Sequence, residues 1–287
     1  MSDYIHLTNK TEYSLSEGAL PIARISELCQ SFSMPAVGIT DTNNMFGALE
    51  FSERISSVGV QPIIGCNLKI KTPKQYIHEN IKEDDSYFFL NIFSKNEVGY
   101  SNLLKLISSA YMKHESDSCV DIKTLGKNKE GLLILSGGNN SILTHTQSNN
   151  ITPQVSLFIN NFKNEFKDNF YIEIQRFENN EYRINEEAIL NLALENDIPI
   201  VATNDVYFES PEHYEAHDAL MCIEKKLFVS QQNRVRLSKN HYFKSQNEMK
   251  ELFFDLPEAL INTMEIAQRC SHRPVKKLPI LPVFNND

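Results

Sequence analysis

The sequence predicts an α/β fold, either a barrel or a wound sheet, built from about seven mainly parallel strands. Short apolar runs rich in β-branched residues alternate with stretches whose apolar residues recur at helical spacing. Such alternation is typical of parallel strands joined by right-handed helical crossovers. The 287 residues and 41% hydrophobic content provide enough apolar material for one large domain, and a single barrel is the economical arrangement.

Seven segments have the length and composition of β-strands. They are residues 4–7, 36–40, 62–71, 86–93, 131–136, 170–176 and 198–203. In the third segment Cys66, Leu68 and Ile70 alternate with polar residues, which indicates a strand with one buried face. The first segment is the shortest, and a polar loop follows it over residues 8–18. Loops of that length often shape a binding site.

Helical periodicity appears between the strands and continues after the last one. Predicted helices cover residues 22–32, 45–58, 96–112, 153–166 and 181–196, with two additional C-terminal helices at 246–254 and 257–270. Residues 212–223, which precede these two, are not assigned to a helix or a strand. In the first of them Ile22, Ile25 and Cys29 form one apolar stripe. Residues 71–85 are predicted to be a surface excursion and residues 143–152 a mobile loop, because both are strongly polar.

The stretch from Met34 to Phe51 contains a strand, a polar turn and a helix in succession. Asn43 or Asn44 is predicted to cap the helix that follows, because an amide oxygen there accepts a free backbone N–H of the first turn. Asp41 then lies at the carboxyl end of a buried strand. Ligands gather at that end of barrels and open sheets, because the loops converge there. Asp41 is therefore the centre of the predicted site.

The overall charge and the cysteine pattern limit the classes of function. The formal net charge of −9 argues against binding of duplex DNA by this chain alone, because such binding depends on clustered lysine and arginine. The five cysteines show no CxxC pair or metal-finger spacing, as expected for reduced thiols. The N-terminus lacks a signal-peptide pattern, and no apolar run has the length of a membrane span. We therefore expect a soluble, cytoplasmic protein.

One glycine-rich turn could also bind a ligand. The segment SGGNN, residues 136–140, follows the fifth predicted strand, and its glycines would let backbone amides approach an anion closely. The alternative is an ordinary turn. The isolated histidines of the chain are expected to have structural or surface roles.

Several stretches together resemble one known family. They are IHLTNKTEYSLSEGAL, MPAVGITDTNNMFGALEF, GVQPIIGC, GLLILSGG, FYIEIQR, IPIVATNDVYF, EAHDALMCI and LFFDLPEALINTMEIAQRC. In this order they resemble the polymerase and histidinol phosphatase (PHP) domain that begins the alpha subunit of bacterial DNA polymerase III. The resemblance implies a distorted seven-stranded (β/α) barrel over residues 1–272, with extra C-terminal helices. Residues 273–287, which contain three prolines, then read as an extended linker toward a polymerase core that is absent from this chain.

Members of this family that bind metal carry their ligands at the carboxyl rim of the barrel. In this chain the corresponding positions are occupied by Thr8, Lys10, Glu17, Asp41, Thr42, Asn67, Asp205 and Tyr207. The His-x-His pair of the family's first loop is replaced by Thr8 and Lys10, and His6 falls just before it. The Asp-His pair after the second strand becomes Asp41 and Thr42.

The remaining positions repeat this loss of metal ligands. Asn67 replaces the acidic residue of the third strand, and Tyr207 replaces the last histidine of an Asp-Val-His pattern, whereas Glu17 keeps the acid of the first loop. Hydroxyl and amide groups are poor substitutes for imidazole in a transition-metal site. A lysine repels a metal, and Lys10 is expected to form an ion pair with Glu17 or Asp205 instead. The resemblance therefore implies no metal and no catalytic residue in this vestigial pocket.

Two hypotheses follow. The first is a degenerate, non-enzymatic PHP domain that acts as a scaffold for the polymerase core of the same parent chain and as a docking module for the proofreading exonuclease subunit. The chain would then need no cofactor, magnesium would serve the polymerase core, and DNA would be contacted only through the full replicative complex. The second is a metal-dependent phosphoesterase or 3'-5' exonuclease that uses His6, Glu17, Asp41 and Asp205. The ligand losses favour the first hypothesis.

Overall fold

The computed structural model describes residues 4–73, 87–113, 118–143, 151–177, 186–234 and 236–278. The fold is mixed α/β, built on a curled sheet of six strands whose spatial order follows the chain. The strands are β1 (Ala36–Ile39), β2 (Gln61–Lys71), β3 (Tyr87–Ser94), β4 (Leu132–Leu135), β5 (Phe170–Gln175) and β6 (Ile200–Thr203). Each matches a predicted strand to within a few residues.

Helices cover the outside of the sheet and continue after it. They are α1 (Ile22–Ser31), α2 (Ala48–Ser57), α3 (Glu97–Lys113), α4 (Ile122–Lys127), α5 (Pro153–Phe166), α6 (Glu186–Glu195), α7 (Tyr214–Lys225), α8 (Gln246–Leu252) and α9 (Pro257–Arg269). The two predicted C-terminal helices correspond to α8 and α9, whereas α7 covers a segment that was not assigned to a helix. The short helix α4 was not predicted. The predicted excursion and mobile loop lie mostly outside the described residues, as does the start of the helix predicted at 181–196.

The direction of β3 corrects the expectation of parallel strands. It pairs antiparallel with β2, from Gly65 opposite Phe93 to Lys71 opposite Tyr87, and antiparallel with β4. The other neighbouring pairs are parallel. A parallel return needs a crossover connection, usually a helix, whereas an antiparallel return does not. The sequence between β2 and β3 has no helical periodicity, so the alternation of strand and helix is broken at that point.

The predicted first strand, residues 4–7, is not a strand, so the part of the chain that the structure describes has six strands where seven were expected. The segment is extended and joins the two edges of the sheet through isolated hydrogen bonds. On one side the Gly38 N–H of β1 donates to the His6 carbonyl at 2.7 Å. On the other, the Val206 N–H, just beyond β6, donates to the Thr8 carbonyl at 3.0 Å. The polar loop that follows is thereby fixed beside both edges.

One cluster of buried side chains shows how strongly the sheet curls. It contains Ala36 of β1 and Val201 of β6, the two edge strands, together with Ile5, Leu7 and Ile266 of α9. Side chains from opposite edges of a flat six-stranded sheet would lie more than 20 Å apart, given a strand spacing of about 4.8 Å. Curling brings them together around α9, and a larger cluster packs the other face of the sheet against the outer helices.

The turn after β1 differs from the predicted one. Helix α2 begins at Ala48 and not at Met45, and its N-cap residue, Gly47, makes no side-chain cap hydrogen bond. The Asn44 amide oxygen accepts instead from the Phe46 N–H at 3.1 Å, which stabilises the turn before the helix. Asn43 has a positive φ of 53°, and its side-chain oxygen accepts from the Lys69 N–H. The prediction of an asparagine cap was therefore wrong.

The cysteines and the C-terminal segment complete the fold. All five cysteines are buried free thiols. Residues 271–278 contain no helix or strand, and the Pro274 carbonyl accepts from the Ser52 hydroxyl of α2 at 2.5 Å. Within the ranges described above, no helix is both long enough and apolar enough to cross a membrane.

Candidate functional site

The residues predicted for the vestigial pocket meet at the carboxyl ends of β1, β2 and β6. We call them the rim cluster: Thr8, Lys10, Glu17, Asp41, Thr42, Asn67, Asp205 and Tyr207. Thr42 and Asn67 form an isolated β-bridge, and the Asn67 N–H donates to the Asp41 carbonyl at 3.0 Å. The Asp205 N–H donates to the Thr8 hydroxyl oxygen at 3.2 Å. The loop positions chosen from the sequence are therefore neighbours.

Asp41 is buried and fully engaged by the loop that precedes α1. One carboxylate oxygen accepts from the Thr11 N–H at 2.7 Å and from the Ser14 hydroxyl at 2.6 Å, and the other accepts from the Thr11 hydroxyl at 2.8 Å. Burial raises the pKa of Asp41, while these hydrogen bonds and the charge of Lys10 oppose the increase. Asp41 thus fixes the shape of the loop, and its lone pairs are directed at donors of the chain itself.

Lys10 does not form the expected ion pair. Its side chain is 2% exposed, and its ammonium group donates to the Thr40 carbonyl at 2.8 Å. Among the described residues, neither Glu17 nor Asp205 lies within ion-pair distance of it. Its charge nevertheless favours ionisation of both Asp41 and Asp205 across the cluster. Lys10 therefore acts as a central cation that is shared by two acids and contacts neither directly.

The remaining members of the rim cluster pair with one another. The Thr42 hydroxyl donates to the Glu17 carboxylate, and Tyr207 forms a side-chain hydrogen bond with Asp205. Burial raises the pKa of Asp205, and this hydrogen bond and Lys10 oppose the increase. The Glu17 carbonyl is contacted by the His217 ring at 2.6 Å. Each of the three acids of the cluster thus has a partner within the protein.

A second acidic centre was missed by the reasoning from sequence. Glu173, on β5, is 3% exposed and accepts from the Asn91 amide at 2.9 Å, the Gln175 amide at 3.0 Å and the Thr203 hydroxyl. Burial raises the pKa of Glu173 to about 6, against the effect of these hydrogen bonds. Asn91 also accepts from the Asn67 amide at 2.8 Å, which links Glu173 to the rim cluster. A glutamate inside the apolar segment FYIEIQR was the signal that could have revealed it.

Backbone N–H groups of the glycine-rich turn at residues 136–140 donate hydrogen bonds to this network. The Gly137 N–H donates to Glu173 at 3.2 Å, and the Asn139 N–H donates to the Gln175 side-chain oxygen at 3.1 Å. Gly137 has a φ of 96°, and a Cβ there would lie 1.9 Å from the Phe89 carbonyl oxygen, so only glycine fits. Two backbone amides considered for an anion are therefore used by the protein's own side chains.

His6 is not available for catalysis or metal binding. It is completely buried, with one ring nitrogen 2.8 Å from the Lys244 carbonyl oxygen and the other 3.1 Å from the Tyr4 hydroxyl. Burial lowers the pKa of His6 to about 3, so the ring is neutral at pH 7. A neutral ring that donates to the carbonyl and accepts from the tyrosine satisfies both contacts. The set of four residues required by the phosphoesterase hypothesis is therefore not assembled.

Comparison with known proteins agrees with this architecture. The PHP domain family matches residues 6–177, which is more than half of the chain and includes most of the rim cluster together with Glu173. The chain belongs to the PHP domain family. The PHP match ends before Asp205 and Tyr207, which lie in the part of the chain that carries the C-terminal helices.

Curated relatives extend the similarity of this PHP domain to nearly the whole chain. The DNA polymerase III subunit alpha of Caulobacter vibrioides is 39% identical over 98% of this chain, and that of Haemophilus influenzae is 33% identical over 93% of it. The chain spans about a quarter of the length of these relatives, 24% and 23%. A Bifidobacterium adolescentis structure, provisionally described as a metal-dependent phosphoesterase, shares 12% identity over 70% of this chain and 86% of its own, with a TM-score of 0.43. That likeness is too weak to support an argument.

The residues of the rim cluster do not fit the metal site that the PHP family implies. Five of the eight positions carry hydroxyl, amide or ammonium groups, and the acids are already hydrogen-bonded. In the described ranges, no three histidine, cysteine, aspartate or glutamate side chains are grouped so that they could hold a metal ion. Hydroxyl and amide groups are poor substitutes for the imidazole ligands of a transition-metal site, and Lys10 adds a positive charge to the same volume.

Proposed function

We propose that this chain is the degenerate PHP domain of a bacterial DNA polymerase III alpha subunit. It acts as a scaffold for the polymerase core and as a docking module for the proofreading exonuclease subunit. The engagement of Asp41 by Thr11 and Ser14 carries the proposal, because the acid at the centre of the family's site has been turned into a structural group. The buried cation of Lys10 beside it supports the same conclusion.

The role in replication is supported by the relatives, which are alpha subunits four times as long as this chain. Nucleotidyl transfer, with its magnesium ions, is assigned to the polymerase core of the parent chain, and contact with DNA to the complete replicative complex in the cytoplasm. Residues 1–272 form the domain in this proposal, and residues 273–287 lead toward the core.

Docking is tested by calorimetric titration of the purified chain with the proofreading exonuclease subunit of the same bacterium. We expect a one-to-one complex with a Kd below tens of micromolar, because a weaker interface would not hold two subunits together during replication. A nuclease unrelated to replication serves as the control protein. Absence of heat and of co-elution at tens of micromolar would remove the docking function.

Loss of the metal site is tested by elemental analysis of the purified chain. We expect well below one zinc, manganese or iron per chain, because the rim cluster offers few strong donors and carries Lys10. Phosphodiesterase activity is measured in parallel on the wild type and on Asp205→Ala. A stoichiometric metal together with an activity that Asp205→Ala abolishes would contradict the non-enzymatic role.

A further inference from the structure

The end of α7 and the turn after it expose three apolar side chains. Ile223 is 73% exposed, Phe228 is 75% exposed and Val229 is 55% exposed, and all three lie within seven residues of chain. We call residues 223–229 the α7 turn. Single exposed apolar residues are common on protein surfaces, but a group of them often marks an interaction site.

Polar contacts connect the α7 turn to the residues that follow it. Arg234, whose side chain is 4% exposed, forms an ion pair with Asp218, which is 3% exposed. The same guanidinium donates to the Val229 carbonyl at 3.2 Å and to the Gln231 carbonyl at 3.0 Å. The Gln231 side chain in turn accepts from the Phe228 N–H at 2.8 Å. These contacts support the backbone that carries the Phe228 ring, and a preorganised surface loses less conformational entropy when a partner binds.

The charge around the α7 turn is opposite to that of the whole chain. Residues 223–240 contain five basic residues and one acidic residue, in a chain whose net charge is −9. Arg234 and Arg236 are paired with Asp218 and Glu215 of α7. Lys225 and Lys226 are exposed directly beside the apolar side chains, next to one exposed acid, Glu224. An apolar centre with a cationic border is complementary to an apolar segment that carries acidic residues.

We propose that the α7 turn is a docking surface for an apolar, acidic segment of a protein partner, with Phe228 as the anchor. The proposal rests on the docking function above and names its surface. A single aromatic ring beside two branched aliphatic side chains favours a protein over single-stranded DNA, which needs successive rings for stacking. Lys226 follows His217, which contacts the rim, by nine residues, or about 13 Å along a helix.

The decisive experiment compares two exposed phenylalanines. Phe228→Ala and, as the matched control, Phe254→Ala, whose ring is 81% exposed elsewhere on the surface, are titrated with the exonuclease subunit by calorimetry. We expect Phe228→Ala to raise the Kd about tenfold or more, as for a central aromatic anchor. Phe254→Ala should leave the Kd within about twofold of wild type, as for residues outside a hot spot. Unchanged thermal unfolding shows that both variants remain folded.

A second pair of variants tests the charge of the surface. The double variant Lys225→Glu and Lys226→Glu should weaken binding about tenfold at low salt and flatten its dependence on salt, because it removes the cationic border. Lys276→Glu, a charge reversal in the exposed C-terminal segment, is the control and should keep the wild-type salt dependence.

Each outcome decides the proposal. If the exonuclease subunit binds wild type and Phe228→Ala equally well, the α7 turn is not the surface, although the docking function stands. If it binds neither protein, both the docking function and the surface are wrong. Binding of labelled oligothymidylate that depends on Phe228, without binding of the exonuclease subunit, would identify a nucleic-acid surface and overturn the proposal.

Discussion

Single residues set the charge balance of the rim cluster. A family metal position holds Lys10, whose buried ammonium group has Thr40 as its hydrogen-bond partner and faces two acids. The cation therefore supplies part of the positive charge that a metal would supply. It does so without direct ion pairs, because Asp41 and Asp205 have partners of their own.

Lys10→Met is expected to destabilise the domain by about 1 to 3 kcal/mol at pH 7. The substitution leaves the Thr40 carbonyl without its donor and two acids without their cation, while it preserves most of the volume. The loss should shrink as the pH falls, because burial raises the pKa values of Asp41 and Asp205 and the protonated acids no longer need the positive charge. Urea unfolding at a series of pH values from 7 downward measures both effects.

The exposed Lys276 provides the control for this substitution. Lys276→Met should change the free energy of unfolding by no more than about 0.5 kcal/mol, as for most surface replacements. If Lys10→Met were as stable as wild type at pH 7, the shared-cation role would be wrong. The buried charge would then destabilise the fold through its desolvation, and the hydrophobic methionine would avoid that penalty.

At the scale of elements, the start of α8 combines two reciprocal hydrogen bonds. The Ser245 hydroxyl accepts from the Glu248 N–H at 3.3 Å, and the Glu248 carboxylate accepts from the Ser245 N–H at 2.7 Å. This capping box satisfies two backbone donors that a helix terminus leaves free. Met249 and Phe253, which are fully buried, then anchor this end of the chain in the core.

Ser245→Ala should lower the free energy of unfolding by about 1 kcal/mol, because the cap of α8 is lost. Thermal or urea unfolding at pH 7 measures the change. Ser271→Ala, at an exposed serine after α9, is the control and should have no measurable effect. Equal stability of Ser245→Ala and wild type would mean that water replaces the cap without cost.

Most elements were predictable from local patterns. The range of α5 matches the prediction in full, because Pro153 opens it and its buried face carries Phe158, Phe162 and Phe166 at helical spacing. The direction of β3 was predicted wrongly, because the pattern within a strand suits either direction and the missing helix before β3 was the only local sign of the reversal. The extended residues 4–7 were assigned as a strand because an apolar run reveals burial but not hydrogen-bond pairing.

At the scale of the whole molecule, buried histidines make stability sensitive to acid. Burial lowers the pKa of both His6 and His241 from 6.5 to about 3. Below pH 6.5 the unfolded chain therefore takes up protons that the folded protein does not, and stability falls. Glu173 acts in the opposite direction, since its raised pKa of about 6 lets the folded protein take up a proton first as the pH falls. Asp41 and Asp205, with raised pKa values, act in the same way as Glu173.

His6→Gln isolates one histidine from these opposing effects. The variant should be less stable than wild type at pH 7, where it disturbs a fully buried contact. Between pH 7 and pH 5 the free energy of unfolding of the variant should fall by about 2 kcal/mol less than that of wild type. The reason is that the unfolded variant has one group fewer to protonate. Urea unfolding at the two pH values gives this difference, and His213→Gln, at an exposed position, serves as the control. If the free energy of unfolding fell equally in His6→Gln and wild type between pH 7 and pH 5, His6 would not contribute to the acid sensitivity of the fold.

The sequence by itself determined the α/β class, most helices and strands, the family, and the loops that carry the rim cluster. These follow from periodicity and from motifs, which are local properties of the chain. Only the tertiary structure decided that β3 runs antiparallel, that Lys10 bonds to Thr40, and that Glu173 sits in a buried network with Asn91. Each of these depends on which distant residues meet. Because burial and partners set the pKa of a side chain and decide whether it can bind a ligand, the chemistry of this site emerged only from the folded chain.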